Sequence, residues 1–338
     1  MIKTDSHTAF RAKQAAAFLA VYVIWGSTYL AIRFAIESLP GFLMAGGRFL
    51  TAGALLYFWA RLRGAPNPTL AQWRSAFIIG GLLLLCGNGS VVWAEQHIPS
   101  GLAALLVGTE PLWIVVLLWV WPSGERPKLR TVFGLILGFC GAALLAVPEE
   151  GLAGGSMHTL AIAAMLFACI TWAAGSLYAR TSEAPKSPIM NTASQMLAGG
   201  FLLLIVSSLL GEPFSFNPAQ TTPNSWFALL YLIVFGSIIA FSAYSWLVRT
   251  TAPTLVATYA YVNPVVAVFL GWLLANEPVT WKTIAASVLI ISAVLIVSLA
   301  ERKPRKPKGR PQTEDAVPML PKPPAALQTA NVPLDRCA

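Results

Sequence analysis

Long apolar runs separated by short polar breaks set the pattern of this chain. Ten stretches of mostly hydrophobic residues occur, at 14–36, 41–62, 73–94, 98–121, 129–147, 157–179, 188–210, 226–248, 253–275 and 281–300. An α-helix needs about 20 apolar residues to cross the hydrocarbon core of a bilayer, and each run approaches or exceeds that length. The breaks carry turn chemistry, as in Gly64-Ala65-Pro66-Asn67-Pro68, Pro122-Ser123-Gly124 and the segment from Pro213 to Pro223. The first run is longer than the apolar region of a signal peptide, has no clear cleavage site after it, and is followed at once by another run. The pattern predicts an all-α integral membrane protein with ten transmembrane helices.

Composition points the same way. Of 338 residues, 56% are apolar and 11% charged, whereas an ordinary soluble domain carries roughly a quarter charged residues. Mean hydropathy is +0.66. The formal net charge of +9 does not point to nucleic acid, because the basic residues sit in short breaks between apolar runs and in the C-terminal segment. Lys3, Arg11 and Lys13 precede the first run. Arg61, Arg63 and Arg74, then Arg126, Lys128 and Arg130, then Arg180 and Lys186, then Arg249 follow in alternate breaks, and Arg302, Lys303, Arg305, Lys306, Lys308 and Arg310 come after the last run. The other breaks are nearly bare, with Arg33 and Lys282 the main exceptions. Basic residues collect on the cytoplasmic side of membrane proteins. This alternation places residues 1–13, as a cytoplasmic N-terminus, on the same side as the C-terminus. Residues 301–338, Pro-rich and basic, read as a disordered cytoplasmic tail whose basic start can contact anionic lipid headgroups.

Enzymatic chemistry finds little footing. Cys86, Cys140 and Cys169 lie inside apolar runs and Cys337 in the tail, without metal-ligand spacing. His7, His97 and His158 are scattered over the N-terminus and polar breaks. There is no phosphate-binding loop and no serine nucleophile elbow. No cofactor and no metal are expected.

The two halves of the chain echo each other. Trp25 and Arg33 are spaced like Trp172 and Arg180; Ala52-Gly53 matches Gly199-Gly200; Trp73 and Trp93 match Trp226 and Trp246; Pro111 matches Pro264. Glu125-Arg126-Pro127 resembles Asn276-Glu277-Pro278. An odd number of spans per half forces the second copy to cross the membrane in the opposite sense, which is the inverted-topology repeat of many secondary transporters. The expected units are 14–147 and 157–300, five helices each, around a central cavity.

With these features the chain resembles the EamA-type permeases of the drug/metabolite transporter superfamily over about residues 14–301. The resemblance is carried by Ile24-Trp25-Gly26-Ser27-Thr28-Tyr29, by Gly47-Arg48-Phe49-Leu50, by Pro111, by Gly134, Gly138 and Gly141, and by Glu277-Pro278. It implies a helical bundle around a central cavity, both termini inside, and small metabolites or drugs as cargo, usually exported. Glu110 is not a residue the resemblance accounts for.

Candidate site residues follow from depth. Glu110 falls about eleven residues into the fourth run, roughly 16 Å deep at 1.5 Å per residue and so near the midplane. A charged group there needs a reason, since insertion costs at least about 2.5 kcal/mol. Pro111 follows it and frees a backbone carbonyl. A carboxyl group in that place suits proton exchange or binding of an amine. Asn263 before Pro264 is its repeat mate, offering a donor and an acceptor without charge. Arg48 lies about 10 Å from the outer end of the second run; it can bind an anionic cargo group, pair with Glu110 or Glu95, or snorkel outward, and the balance favours a structural or gating partner. Trp25, Trp113, Trp172, Tyr244, Tyr259 and Tyr261, with Trp93, offer aromatic surface for apolar or cationic cargo. Asn88, within Gly87-Asn88-Gly89-Ser90, adds a polar group among small residues suited to close helix packing.

The sequence reading is therefore a secondary transporter, an exporter of a small organic metabolite or drug, working by alternating access and coupled to protons or running as a facilitator. Its setting is the plasma membrane, a bacterial inner membrane, with the lipid bilayer and a small-molecule substrate as partners. A homodimer is left open. The alternative is an intramembrane enzyme acting on lipids, or a membrane scaffold, which requires reactive groups near one interface.

Overall fold

The computed structural model describes residues 2–120, 128–146, 156–251, 253–256 and 258–300, without the side chains of 2–9, 146, 253, 254, 261 and 298. The tail at 301–338 and the breaks holding Arg126 and Glu149 lie outside the described residues. No strand occurs among the described residues. The long helices are α1 (Ile2–Ala35), α2 (Gly41–Leu62), α3 (Leu70–Ala94), α4 (Ser100–Val120), α5 (Leu129–Ala146), α6 (Ser156–Thr181), α7 (Pro188–Leu209), α8 (Pro223–Thr250), α9 (Tyr259–Ala275) and α10 (Trp281–Ala300). Seven of these are long and apolar enough to cross a membrane, and Leu129–Leu145, Val262–Ala275 and Trp281–Val297 are shorter apolar helices. In a bilayer the backbone must satisfy its own hydrogen bonds, so uniformly apolar runs become helices.

Four helices depart from the simple spans the sequence predicts. Both α3 and α8 widen into π-helix in their middles, over Gly80–Asn88 and Leu232–Phe241. Helix α4 breaks at Gly108-Thr109, just before Glu110 and Pro111, into Ser100–Val107 and Glu110–Val120. The run at 253–275 resolves into a single turn at Pro253–Val256 and the separate helix α9, which carries Pro264 internally.

Helix starts are satisfied in two ways. Thr69 and Gln72 form a reciprocal capping box on α3, and Ser187 and Thr222 cap α7 and α8 ahead of a proline in the first turn. In α2 and α4, by contrast, the residue before the first turn is a proline with nothing to offer. Carboxylates from distant parts of the chain supply what is missing. Glu212 accepts from the amides of Phe42 and Leu43 at 3.2 and 2.7 Å. Glu277 accepts from the amide and hydroxyl of Ser100, both at 2.8 Å, and from the amide of Gly101 at 3.0 Å. A carboxylate at a helix N-terminus also meets the positive end of the helix dipole. Glu277→Ala should therefore lower thermal stability by about 1–2 kcal/mol, with Glu277→Gln losing less; a melt of the purified protein in detergent that leaves Glu277→Ala at the wild-type midpoint overturns this role.

Packing rests on small residues. Gly46 and Gly53 of α2 meet Leu204 and Leu197 of α7, while Gly200 of α7 meets the backbone of Leu50. Gly134, Gly138 and Gly141 of α5 lie against Val297, Ala293 and Ile290 of α10. Such sites let helices approach closely without the help of water. Large apolar side chains such as Phe58, Phe201, Phe227 and Phe269 point outward, as expected where the surrounding solvent is lipid.

Candidate functional site

The polar interior gathers where the irregular helices meet. A cavity of about 70 Å³ is bounded by α1, α2, α3, α4, α6, α8 and α9. Holding one water takes roughly 10–15 Å³ measured this way, so the space admits a few waters or a small solute. Trp25, Tyr29, Phe49, Trp172, Phe241 and Tyr259 put aromatic rings around it, and its polar side chains include Thr28, Arg48, Asn88 and Glu110.

Glu110 is buried, at 1% exposure. It stands at the restart of α4 after the Gly108-Thr109 break, and its Oε2 accepts from the Tyr259 hydroxyl of α9 at 3.2 Å. Pro111 lacks the amide that would bond the Val107 carbonyl, and Val107 itself borders the cavity. Glu110, Tyr259 and Tyr244 also border a second, smaller cavity of about 20 Å³ that reaches Arg180 and Val256. Glu110 is thus a wall shared by two spaces.

Arg48 is equally buried, at 3% exposure. Its Nε donates to Ser237 Oγ at 2.8 Å and its guanidinium lies over the Phe49 ring, 4.6 Å from the centroid. Room for it comes from the π-helical part of α8: a Cβ on Gly236 would sit 2.9 Å from Nη2. The Gly236 carbonyl in turn accepts from Trp25 Nε1 at 3.2 Å. The snorkelling considered from sequence does not occur.

The remaining candidates divide. Trp25 and Trp172 meet edge to face with centroids 5.6 Å apart, and Tyr259 meets Trp25 in the same way at 5.6 Å. Tyr244 stands behind this layer. Its hydroxyl takes the Trp172 Nε1 proton at 2.9 Å and lies 2.6 Å from Ser176 Oγ, which itself donates to the Trp172 carbonyl. That closed ring fixes the Trp172 indole. Asn263 is buried between α1 and its own helix; with the amide nitrogen facing them, it donates to the carbonyls of Tyr22 at 2.9 Å and Tyr259 at 3.3 Å. Pro264 follows it on the side of the lipid-facing groove between α9 and α10. Trp113 is away from the central cavity, packed beside Ile114 and Ala173 with its ring 5.0 Å from Phe139. Trp93 lies tilted against His97 at the end of α3, centroids 4.7 Å apart. Asn88 borders the cavity. The side chain of Tyr261 lies outside the described residues.

Several lining residues were not singled out from sequence. Thr28, Tyr29 and Phe49 lie inside the two motifs that carry the family resemblance and sit one to four positions from Trp25 and Arg48. Cys169 precedes Trp172 by nearly one helical turn. Gly236 and Ser237 carry no such mark.

A helical bundle with an internal cavity that holds a carboxyl group and a guanidinium within apolar spans is the architecture expected of a membrane transport protein. The chain belongs to the EamA-like transporter family, which matches residues 13–147 and 159–299. It is an integral membrane transporter, an EamA-type permease of the drug/metabolite transporter superfamily. It is 41% identical over 302 residues, 89% of this chain and 95% of the relative, to an uncharacterized inner membrane transporter, YedA, of Escherichia coli K12. An uncharacterized transporter, YvbV, of Bacillus subtilis is 27% identical, over 83% of this chain and 90% of the relative. The protein PecM of Dickeya dadantii is 25% identical, over 85% and 93%. A crystal structure matches the fold with a TM-score of 0.61 at 20% identity, covering 86% of this chain and 99% of that one.

Proposed function

We propose that this chain is a secondary transporter of the bacterial inner membrane that moves a small organic metabolite or drug outward by alternating access, with Glu110 as its proton-coupling centre. The observation that carries the reading is Glu110 itself, a buried carboxyl held by Tyr259 of the other half of the chain and bordering two separate cavities. A group placed there can exchange its proton with one space and meet cargo in the other.

The mechanical part of the proposal is a ten-span bundle of two inverted five-helix units, 14–147 and 157–300. Corresponding irregularities support it. The π segments fall in the third helix of each unit, and α4 and the run at 253–275 are each interrupted ahead of an X-Pro pair, Glu110-Pro111 and Asn263-Pro264, the second of which lies inside α9. Arg33 at the end of α1 donates to the Glu95 carbonyl at 3.0 Å; Arg180 at the end of α6 donates to the Val248 carbonyl at 3.1 Å and the Thr251 carbonyl at 3.0 Å. In both cases the cation closes the end of the third helix of its unit. Arg33 then has a structural reason to sit among the breaks that are otherwise poor in basic residues.

The reading is tested in proteoliposomes loaded with a pH-sensitive dye and challenged with a panel of amino acids, amines, nucleosides and organic acids. Cargo-driven proton movement supports it, and cargo flux with no proton movement replaces it by uncoupled facilitation. Orientation has its own check. Single cysteines at Arg61 and Lys186 should resist an impermeant maleimide applied to intact cells, while a cysteine at Glu212 should react; labelling at Arg61 from outside inverts the topology.

A further inference from the structure

Arg48 has more to donate than the protein uses. Nε is taken by Ser237, yet Nη1 has no hydrogen-bond partner although the side chain is 97% buried, 3% exposed. The guanidinium borders the central cavity, and Asn88 Oδ1 in the same cavity also lacks a partner. The nearby acid does not complete the arrangement. Glu95 is fully buried, and neither of its carboxyl oxygens has a hydrogen-bond partner. Glu110, also in the cavity wall, is held by Tyr259. A buried guanidinium with a spare N–H is costly unless something takes it, and a carboxylate is the group that matches its fork.

We infer that the cargo is a small organic acid whose carboxylate docks on the Arg48 guanidinium, with its apolar body against Trp25 and Phe241 and any hydroxyl or N–H on it directed to Asn88. The inference rests on the transporter reading only in taking the central cavity for the cargo site. The cavity of about 70 Å³ limits the acid to a compact body.

Isothermal titration on the full chain in lipid nanodiscs tests this with three probes that share one branched body: isovalerate, isoamyl alcohol and isoamylamine. Isovalerate should bind saturably at one site, and the alcohol and the amine should bind at least about tenfold more weakly, the worth of a charge-assisted hydrogen bond. Arg48→Gln should lose about tenfold or more in isovalerate affinity, and Arg48→Lys should keep part of it. Inorganic phosphate, run as a further arm, should not compete. Saturable binding of the amine or alcohol as tight as isovalerate, isovalerate binding unchanged in Arg48→Gln, or no carboxylate binding by the wild type overturns the inference. Phosphate competing as well as isovalerate overturns the carboxylate assignment. Should Arg48→Gln fail to fold, Arg48→Lys carries the same comparison with a cation in place. Because the assay reads binding and needs no transport, a proton-coupled Glu110 with no carboxylate binding removes this inference alone.

Discussion

Glu110→Gln should leave the protein folded and inserted, yet abolish proton-driven accumulation of cargo and flatten the pH profile of transport. Glutamine keeps the size of the side chain and an acceptor for the Tyr259 hydroxyl, which donates to Glu110 Oε2 at 3.2 Å, so the tie between α4 and α9 survives. What is lost is the exchangeable proton. The site makes that loss decisive, because among the described carboxyl groups bordering the central cavity Glu110 is alone. Glu110→Asp withdraws the carboxyl by one methylene from Tyr259 and should retain partial coupling. Tyr259→Phe removes one hydrogen bond, about 0.5–1.5 kcal/mol, and should move the pH profile without abolishing coupling. The measurement is cargo accumulation and internal pH in proteoliposomes with an imposed pH gradient. If Glu110→Gln accumulates cargo at the wild-type rate with an unchanged pH profile, Glu110 is a structural tie, and coupling passes to Glu95 or is absent.

The helices were legible because the bilayer imposes them. A lipid solvent demands apolar runs of a set length, and those runs stand out against a chain with 11% charged residues. Glu110, Arg48 and Asn88 were legible for the complementary reason, since a polar group in such a run needs an explanation. The aromatic candidates fared unevenly. Within a uniformly apolar helix nothing in the sequence says which side faces lipid, a neighbouring helix or a cavity, so Trp25 and Trp172 were grouped with Trp113, which packs on Phe139 instead. Asn263 illustrates the same limit: its donors go to the carbonyls of Tyr22 and Tyr259, a use that only the approach of α1 to α9 creates. The π segments were not legible at all. A change in the width of a helical turn leaves no period in a stretch where every position is hydrophobic or small, and with it went Gly236 and Ser237, the residues that house the Arg48 guanidinium.

Gly80→Ala should be among the most damaging single-methyl changes in the protein, and its neighbour Gly81→Ala should be nearly silent. Gly80 opens the π segment of α3. A Cβ built there would stand 2.6 Å from the Gly199 amide nitrogen and 2.8 Å from the Gln195 carbonyl oxygen. Both are backbone atoms of α7, so no rotamer change relieves the contact and the two helices must separate. The obstruction is mutual, since a Cβ on Gly199 would meet Leu84 Cβ at 2.6 Å and the Gly80 oxygen at 3.0 Å. Separation would not stay local, because α7 is seated on α2 through Gly200 against the Leu50 backbone, and α2 carries Arg48. Overpacking of a close contact costs about 1–3 kcal/mol, with the upper part of that range expected where only backbone can yield; at roughly 2–4 °C per kcal/mol for chains of a few hundred residues, the melting midpoint should fall by several degrees. At Gly81 the nearest atom to an added Cβ is Leu202 Cδ1 at 3.6 Å, an ordinary contact with a movable side chain. Thermal melts of the two variants side by side, followed by size-exclusion fluorescence in detergent, separate the outcomes. Equal midpoints mean that α3 and α7 do not meet backbone to backbone at this level, and the seating of the π segment against α7, which the placement of Arg48 depends on through α2, fails with it.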